Sequence, residues 1–156
     1  MLQNIKFSKS ITWLVLMFAF AFIGLGISGY LWYEYEQPSS IGCSFNGGCE
    51  QVRNSEFSQL WGVDLPVWGI GYYLGITILI MLAQTSLPSN YQRFLPFVIP
   101  LYTFSGFLFS LYLTYLEVFV IQALCQWCLA SAIVATACFV CGVVYAVLKR
   151  DEIKAI

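Results

Sequence analysis

The chain has 156 residues, of which 60% are hydrophobic and only 10% charged, with a net charge of −1, whereas a typical soluble domain is about 45–50% apolar and about 25% charged. A domain of this length cannot hide such an apolar excess in its own interior, so the composition excludes a water-soluble globule and directs the surplus to lipid. Histidine is absent, which removes His-ligated metals and haem, Ser/His and Cys/His nucleophiles and histidine pH sensing, and no basic cluster points to nucleic acid.

The first element in chain order is an uncharged run at residues 11–31, long enough for a hydrocarbon core of about 30 Å, which takes roughly 20 helical residues. Lys6 and Lys9 precede it as in a signal peptide, but the run exceeds the usual apolar core of about 7–15 residues, and we read it as a retained span. Residues 32–66 form a long connection. Within it Val52, Phe57, Leu60 and Trp61 recur at spacings suited to a short amphipathic helix lying on the bundle as a lid. The alternative is an ordinary interfacial loop anchored by Trp32, Tyr33, Trp61 and Trp68. The second span, residues 67–83, is short, uncharged and preceded by Leu65-Pro66, a place where a helix start tolerates proline. A polar turn at residues 84–93 leads to the third span at 94–116, whose Pro96 and Pro100 are expected in or near its first turns, where a missing N–H costs little. After a short connection at 117–124, the fourth span covers residues 125–148. The prediction is an all-α membrane protein: one integral membrane domain over residues 1–156, a four-transmembrane-helix bundle with an extracytoplasmic loop and lid helix.

Charge sorting gives the bundle a sidedness. Lys6, Lys9, Arg93, Lys149, Arg150 and Lys154 fall on one side and only Arg53 on the other, together with Glu34, Glu36, Glu50, Glu56, Asp64 and Glu117. The positive-inside bias therefore predicts cytoplasmic termini and an outer face made of the long loop and the short connection. Glu117 and Gln122 flank the outer end of the third span and are read as solvated interface residues, with proton relay as the alternative.

The six cysteines divide by depth. Cys43 and Cys49 bracket Asn46-Gly47-Gly48, which can supply the positive φ of a tight turn. Cys125 and Cys128 open the fourth span, where unpaired N–H groups and the helix dipole stabilise a thiolate, and their i, i+3 spacing puts both sulfurs on one face. Cys138 and Cys141 lie about 20 Å deeper at 1.5 Å per residue and are read as small core residues, because a thiol in hydrocarbon keeps its proton. A structural loop disulfide at Cys43–Cys49 would close a ring of only about seven residues and stabilise correspondingly little. A zinc site made of the four outer thiolates is a further alternative. Two dithiols outside the cytoplasm instead suggest electron relay by thiol–disulfide exchange. With no haem, flavin or Fe–S ligand set in the sequence, the acceptor reached by elimination is a lipid-soluble quinone docked in the bundle beside the C-x-x-C.

The order of these elements resembles the vitamin K epoxide reductase family. The matching features are the four spans, Cys43-x5-Cys49, Ser55 six residues later, Gly62-Val63-Asp64-Leu65-Pro66 before the second span, the glycines Gly69, Gly71 and Gly75 that start it, and Cys125-x-x-Cys128 at the fourth. The DsbB family, also four-helix disulfide generators, places its C-x-x-C in the first outer loop, the reverse of the order here. The resemblance implies that Cys43 exchanges with a thioredoxin-like partner, that Cys49 attacks Cys125, and that Cys128 passes two electrons to a quinone of the ubiquinone, menaquinone or vitamin K type. It also implies that Ser55 sits at the quinone pocket; Phe57, Trp61, Trp127 and Tyr112 are candidate walls drawn from the aromatics of the spans and lid. Vertebrate members carry a tyrosine where this sequence has Ala132 and an asparagine in the second span, where this sequence has none. The implied activity is therefore thiol–quinone oxidoreduction that generates disulfides, with reduction of vitamin K or its epoxide as the enzymatic alternative and a non-catalytic tetraspan scaffold as the alternative of another class. Many bacterial members continue into a fused thioredoxin-like domain; as this sequence stops at Ile156, the expected partner is a separate thioredoxin-fold (DsbA-like) protein. The expected location is the plasma (bacterial inner) membrane.

Overall fold

A computed structural model describes residues 2–37, 42–43, 48–85 and 89–154. Four long helices carry the four apolar runs: α1 (Leu2–Glu36), α3 (Leu65–Gln84), α4 (Ser89–Tyr115) and α5 (Gln126–Lys154). Between α1 and α3 lie a six-residue helix, α2 (Gly48–Arg53), and a two-stranded antiparallel hairpin, β1 (Gln59–Leu60) and β2 (Val63–Asp64). A π-helical turn (Leu116–Ile121) continues α4. Four segments are long and apolar enough to cross a membrane: Lys9–Glu36, Leu65–Gln84, Phe94–Ile121 and Gln126–Glu152. In lipid only such hydrogen-bond-saturated helices, or a closed barrel, can span.

The helix ends differ from expectation in three places. Both α1 and α4 run beyond their apolar stretches, since a helix leaving the bilayer needs no apolar side chains. Pro96 and Pro100 consequently lie inside α4 rather than in its first turns. The lid is also not one helix. Of its four apolar residues only Val52 is helical, while Phe57, Leu60 and Trp61 belong to the turn and hairpin that follow. Trp61 and Gly62 both adopt positive φ, 55° and 78°, as the two central residues of a primed hairpin turn require, and this turn breaks the helical periodicity. The expected Asn46-Gly47 turn lies outside the described residues, as does part of the polar connection before α4.

Packing is antiparallel throughout, with α5 against α1 and α4, and α3 against α1 and along a shorter seam with α4. The central layer is built from Met17, Ala21, Tyr73, Ile76, Ile80, Ile99, Cys138 and Cys141. Lipid offers no hydrophobic driving force between helices, so close contacts at small residues and interhelical hydrogen bonds must hold them. Tyr73 supplies both, because its ring lies flat over Gly24 of α1 and its hydroxyl donates to the Ser131 carbonyl of α5 at 3.0 Å. A Cβ at Gly24 would collide with three carbons of that ring. Gly24→Ala is expected to lower stability by about 1–3 kcal/mol through overpacking, seen as a reduced melting temperature in detergent. Conserved melting would show that Tyr73 can yield.

The buried Cys138 and Cys141 are part of this core. At the far end of α5, Lys149 pairs with Glu152 at 3.1 Å and the Arg150 guanidinium covers the Phe97 ring at 4.7 Å. The opposite end of the bundle carries α2, the hairpin and the remaining four cysteines.

Candidate active site

Three elements bring the four outer cysteines together. Cys125 immediately precedes α5 and acts as its cap: its carbonyl accepts the first helical hydrogen bond, from the Leu129 N–H at 3.0 Å, and its sulfur accepts the Cys128 N–H at 3.3 Å. The Ser/Thr/Asp oxygen of an ordinary N-cap satisfies the same orphan donor. The Cys128 side chain, hydrogen-bonded to Cys125, holds the Cys125 thiol below its ordinary value; burial opposes this and the Cys128 N–H assists. The backbone N–H at the start of the helix thus adds to the effect of the neighbouring thiol.

The α2 helix carries Cys49 to this end. Gly48 packs flush on the main chain of Leu124, so closely that a Cβ there would collide with the Leu124 carbonyl. Each of these two residues is followed directly by a cysteine, Cys49 and Cys125. Both are buried and belong with Val52 and Ala123 to one apolar cluster, against which Cys43, Cys128, Tyr35 and Trp127 pack. Cys43 and Cys49 are joined by a disulfide, whereas Cys125 and Cys128 are free thiols. Arg53 ties the last turn of α2 to the end of α1, donating to the carbonyls of Tyr35 and Gln37 at 2.9 Å each and lying over the Tyr35 ring at 5.7 Å. Among the described residues no group of three or more His, Cys, Asp or Glu side chains is arranged to hold a metal ion.

Below the cluster a cavity of about 340 Å³ opens between the helices. Its wall takes Tyr35 from α1, Trp68, Tyr72 and Tyr73 from α3, Phe109 and Thr114 from α4, and Cys128, Ser131, Ala132 and Ala135 from α5. The loop contributes Val52, Phe57 and Leu60, and Glu117 of the π-helical turn adds a carboxylate. Such a site is predominantly apolar with a few fixed polar groups, and its size lies in the range of small-molecule pockets, about 300–1,000 Å³. A flat quinone ring suits this wall, which offers aromatic faces, hydroxyls able to meet ring oxygens, and the Cys128 sulfur.

Glu117 is not the solvated interface residue anticipated from the sequence. It is 3% exposed, and its Oε2 accepts the Cys125 N–H at 3.1 Å. Its side chain shares the cavity wall with that of Cys128, and its carbonyl accepts the N–H groups of Gln122 and Ala123. Gln122, in the left-handed region at φ 55°, reverses the chain so that residues 117–125 fold back on Glu117. The sequence signal was present: one acid amid Leu116, Val118, Phe119, Val120 and Ile121 belongs to the apolar run, and extending the third span to Ile121 places that acid below the surface.

Of the candidate quinone residues, Phe57 lines the cavity and the others stand outside its wall. Ser55 caps α2, its hydroxyl donating to the Val52 carbonyl at 2.6 Å. Trp61 is 84% exposed at the hairpin tip, edge-on to Trp68. Trp127 packs on Tyr30 and donates to the Gly42 carbonyl at 3.2 Å, fixing the loop beside Cys43, and Tyr112 is 53% exposed on α4. The aromatic residues of the wall that the sequence did not single out are Tyr35, Trp68, Tyr72, Tyr73 and Phe109.

Comparison with known protein families matches residues 15–143 to the Vitamin K epoxide reductase family. The matched stretch contains all six cysteines, the whole of α3 and α4 and the larger part of α1 and α5.

Proposed function

The chain belongs to the vitamin K epoxide reductase family, and from that premise we propose that it is a thiol–quinone oxidoreductase that oxidises a thioredoxin-fold partner on the extracytoplasmic face of a membrane. One observation carries the reading: four cysteines packed in a single cluster beside an apolar cavity whose wall includes Cys128.

Cys43, half-exposed at the loop surface, receives the thiolate of the reduced partner; the Cys43–Cys49 bond breaks and the partner leaves as a disulfide. Cys49, held against the start of α5, then attacks Cys125 of an oxidised Cys125–Cys128 pair and frees Cys128. Return of Cys43 to Cys49 restores the loop disulfide and leaves the electron pair on Cys125 and Cys128. A bound quinone supplies a two-electron, two-proton acceptor at that point. Tyr35, Tyr72 and Phe109 would hold its ring and keep water out, and Ser131 and Thr114 provide hydroxyls for its oxygens.

The charge sorting supports cytoplasmic termini and an extracytoplasmic loop, the side where disulfides persist. Ala132 lies in the cavity wall, where its methyl group cannot polarise the oxygen of an epoxide for ring opening; this favours quinone over vitamin K epoxide as the substrate.

Ala135→Phe tests the assignment of the cavity. Ala135 is a buried wall residue, and a phenyl ring there fills the space a quinone needs. The variant in liposomes is expected to reduce decylubiquinone at least about tenfold more slowly at a given concentration, the scale of about 1.4 kcal/mol of lost binding. Exchange of Cys43–Cys49 with a reduced thioredoxin-fold protein should persist. Unchanged quinone kinetics in a normally melting variant would remove the cavity from the mechanism.

A further inference from the structure

We propose that Glu117 is the proton acceptor for Cys128 when the Cys125–Cys128 dithiol is oxidised, and that it hands this proton to the acceptor in the cavity; the inference rests on the thiol–quinone reading above. Three observations converge on this carboxylate. It is buried in the wall of the cavity, it shares that wall with the Cys128 side chain, and it accepts the backbone N–H of Cys125. It is therefore bound to one reacting residue and borders the same space as the other.

The chemistry of that space calls for such a group. Oxidation of the dithiol breaks two S–H bonds, forms one S–S bond and releases two electrons and two protons, all of which end on the quinone as it becomes hydroquinone. Water is scarce in an apolar cavity, so a proton leaving Cys128 needs a fixed acceptor. The other titratable groups of this wall are Tyr35 from α1, Tyr72 and Tyr73 from α3, and the reacting Cys128, with Cys49 from α2 and the reacting Cys125 in the adjoining cluster. Phenols with an ordinary pKa of about 10 hold their protons at neutral pH and can donate but not accept, and Cys49 is bound in the loop disulfide. That leaves Glu117, the only carboxylate of the wall among the described residues. It takes the Cys128 proton and releases it toward the cavity, ending the cycle as it began. The Cys125 proton exchanges with solvent, which supplies the second proton of the hydroquinone.

A purely structural role would be served equally by glutamine, whose amide oxygen can accept the Cys125 N–H. Glu117→Gln, Glu117→Asp and Glu117→Ala are compared with wild type in liposomes, by single turnover of the pre-reduced protein mixed with decylubiquinone. Glu117→Gln is expected to melt like wild type yet react about 100-fold more slowly, the scale of a lost general acid–base group. Glu117→Asp should recover part of the rate, and Glu117→Ala should lose stability as well. Thiolate absorbance of the reduced protein without quinone gives an independent readout. In Glu117→Gln, Cys125 should ionise at lower pH, because the carboxylate charge that opposes its thiolate is gone. A Glu117→Gln rate within twofold of wild type, or a variant that melts like Glu117→Ala, would make the carboxylate a brace and overturn the proposal. Wild-type protein that does not react with the quinone would overturn the thiol–quinone reading itself, and this inference with it.

Discussion

Cys128→Ala is expected to abolish quinone reduction and to accumulate a Cys49–Cys125 disulfide. Cys128 is the one cysteine of the four whose side chain lines the cavity, whereas Cys125 is buried among Cys49, Val52 and Ala123. The substitution preserves the cap, because the sulfur of Cys125 accepts the backbone N–H of residue 128, so the start of α5 should keep its shape. The loss then belongs to the missing thiol. Once a reduced partner opens the loop disulfide, Cys49 lies against a Cys125 that has no second sulfur to resolve it, and mild oxidation links the two. Peptide mapping under non-reducing conditions should find Cys49 joined to Cys125 with Cys43 free. Sustained quinone reduction by this variant, or a mapped Cys43–Cys125 bond instead, would contradict the assigned order.

Gly48→Val is expected to uncouple the two dithiols without disabling either. The atom in the way of a side chain at residue 48 is the carbonyl of Leu124, part of the main chain and unable to swing aside. The new side chain must push α2 off the start of α5 and carry Cys49 away from Cys125. Displacements near 1 Å in a reacting pair can cost about 100-fold in rate, and turnover driven by the thioredoxin-fold partner should fall by about that factor. Single turnover of pre-reduced Cys125 and Cys128 with decylubiquinone should fall far less, because the cap of α5 does not involve Gly48 and α2 gives the cavity wall only Val52. The contrast with Cys128→Ala, where both measurements fail, distinguishes transfer between the pairs from transfer into the cavity. Equal loss of both rates in Gly48→Val would mean that the close contact supports the whole end of the bundle.

The helical architecture was legible because lipid imposes a simple code. A run of uncharged residues about 20 long has few other fates, and the four runs became four helices. Hydropathy registers solvent, not backbone conformation, and this is why the helical ends of α1 beyond residue 31 and of α4 before residue 94 were not visible in it. The lid shows a different limit. Val52, Phe57, Leu60 and Trp61 have helical spacing, but Gly62 accommodates a positive φ that turns the chain into a hairpin at Trp61, and local turn geometry overrides the periodicity.

At the site, the cysteine pairs stood out because C-x5-C and C-x-x-C are spacings visible in any sequence, and the fold packs the four residues into one cluster. The cavity wall was less so. With 18% of the residues aromatic, residue type cannot separate Tyr72, whose ring faces the cavity, from Tyr112, which faces outward; only the rotation of each helix against its neighbours decides. Glu117 required one further step, the recognition that its apolar neighbours prolong the third span and draw a carboxylate inward beside Cys125.

The most direct measurement is the order in which the four sulfurs change state. Fully reduced protein in liposomes is mixed with decylubiquinone, quenched with acid at intervals, alkylated and mapped by mass spectrometry. The account predicts that a Cys125–Cys128 disulfide forms first and is then replaced by Cys43–Cys49, with one quinone consumed per disulfide. Quinone reduction that persists when Cys125 and Cys128 are both replaced by alanine, or a Cys43–Cys49 disulfide that forms equally fast in that variant, would contradict it.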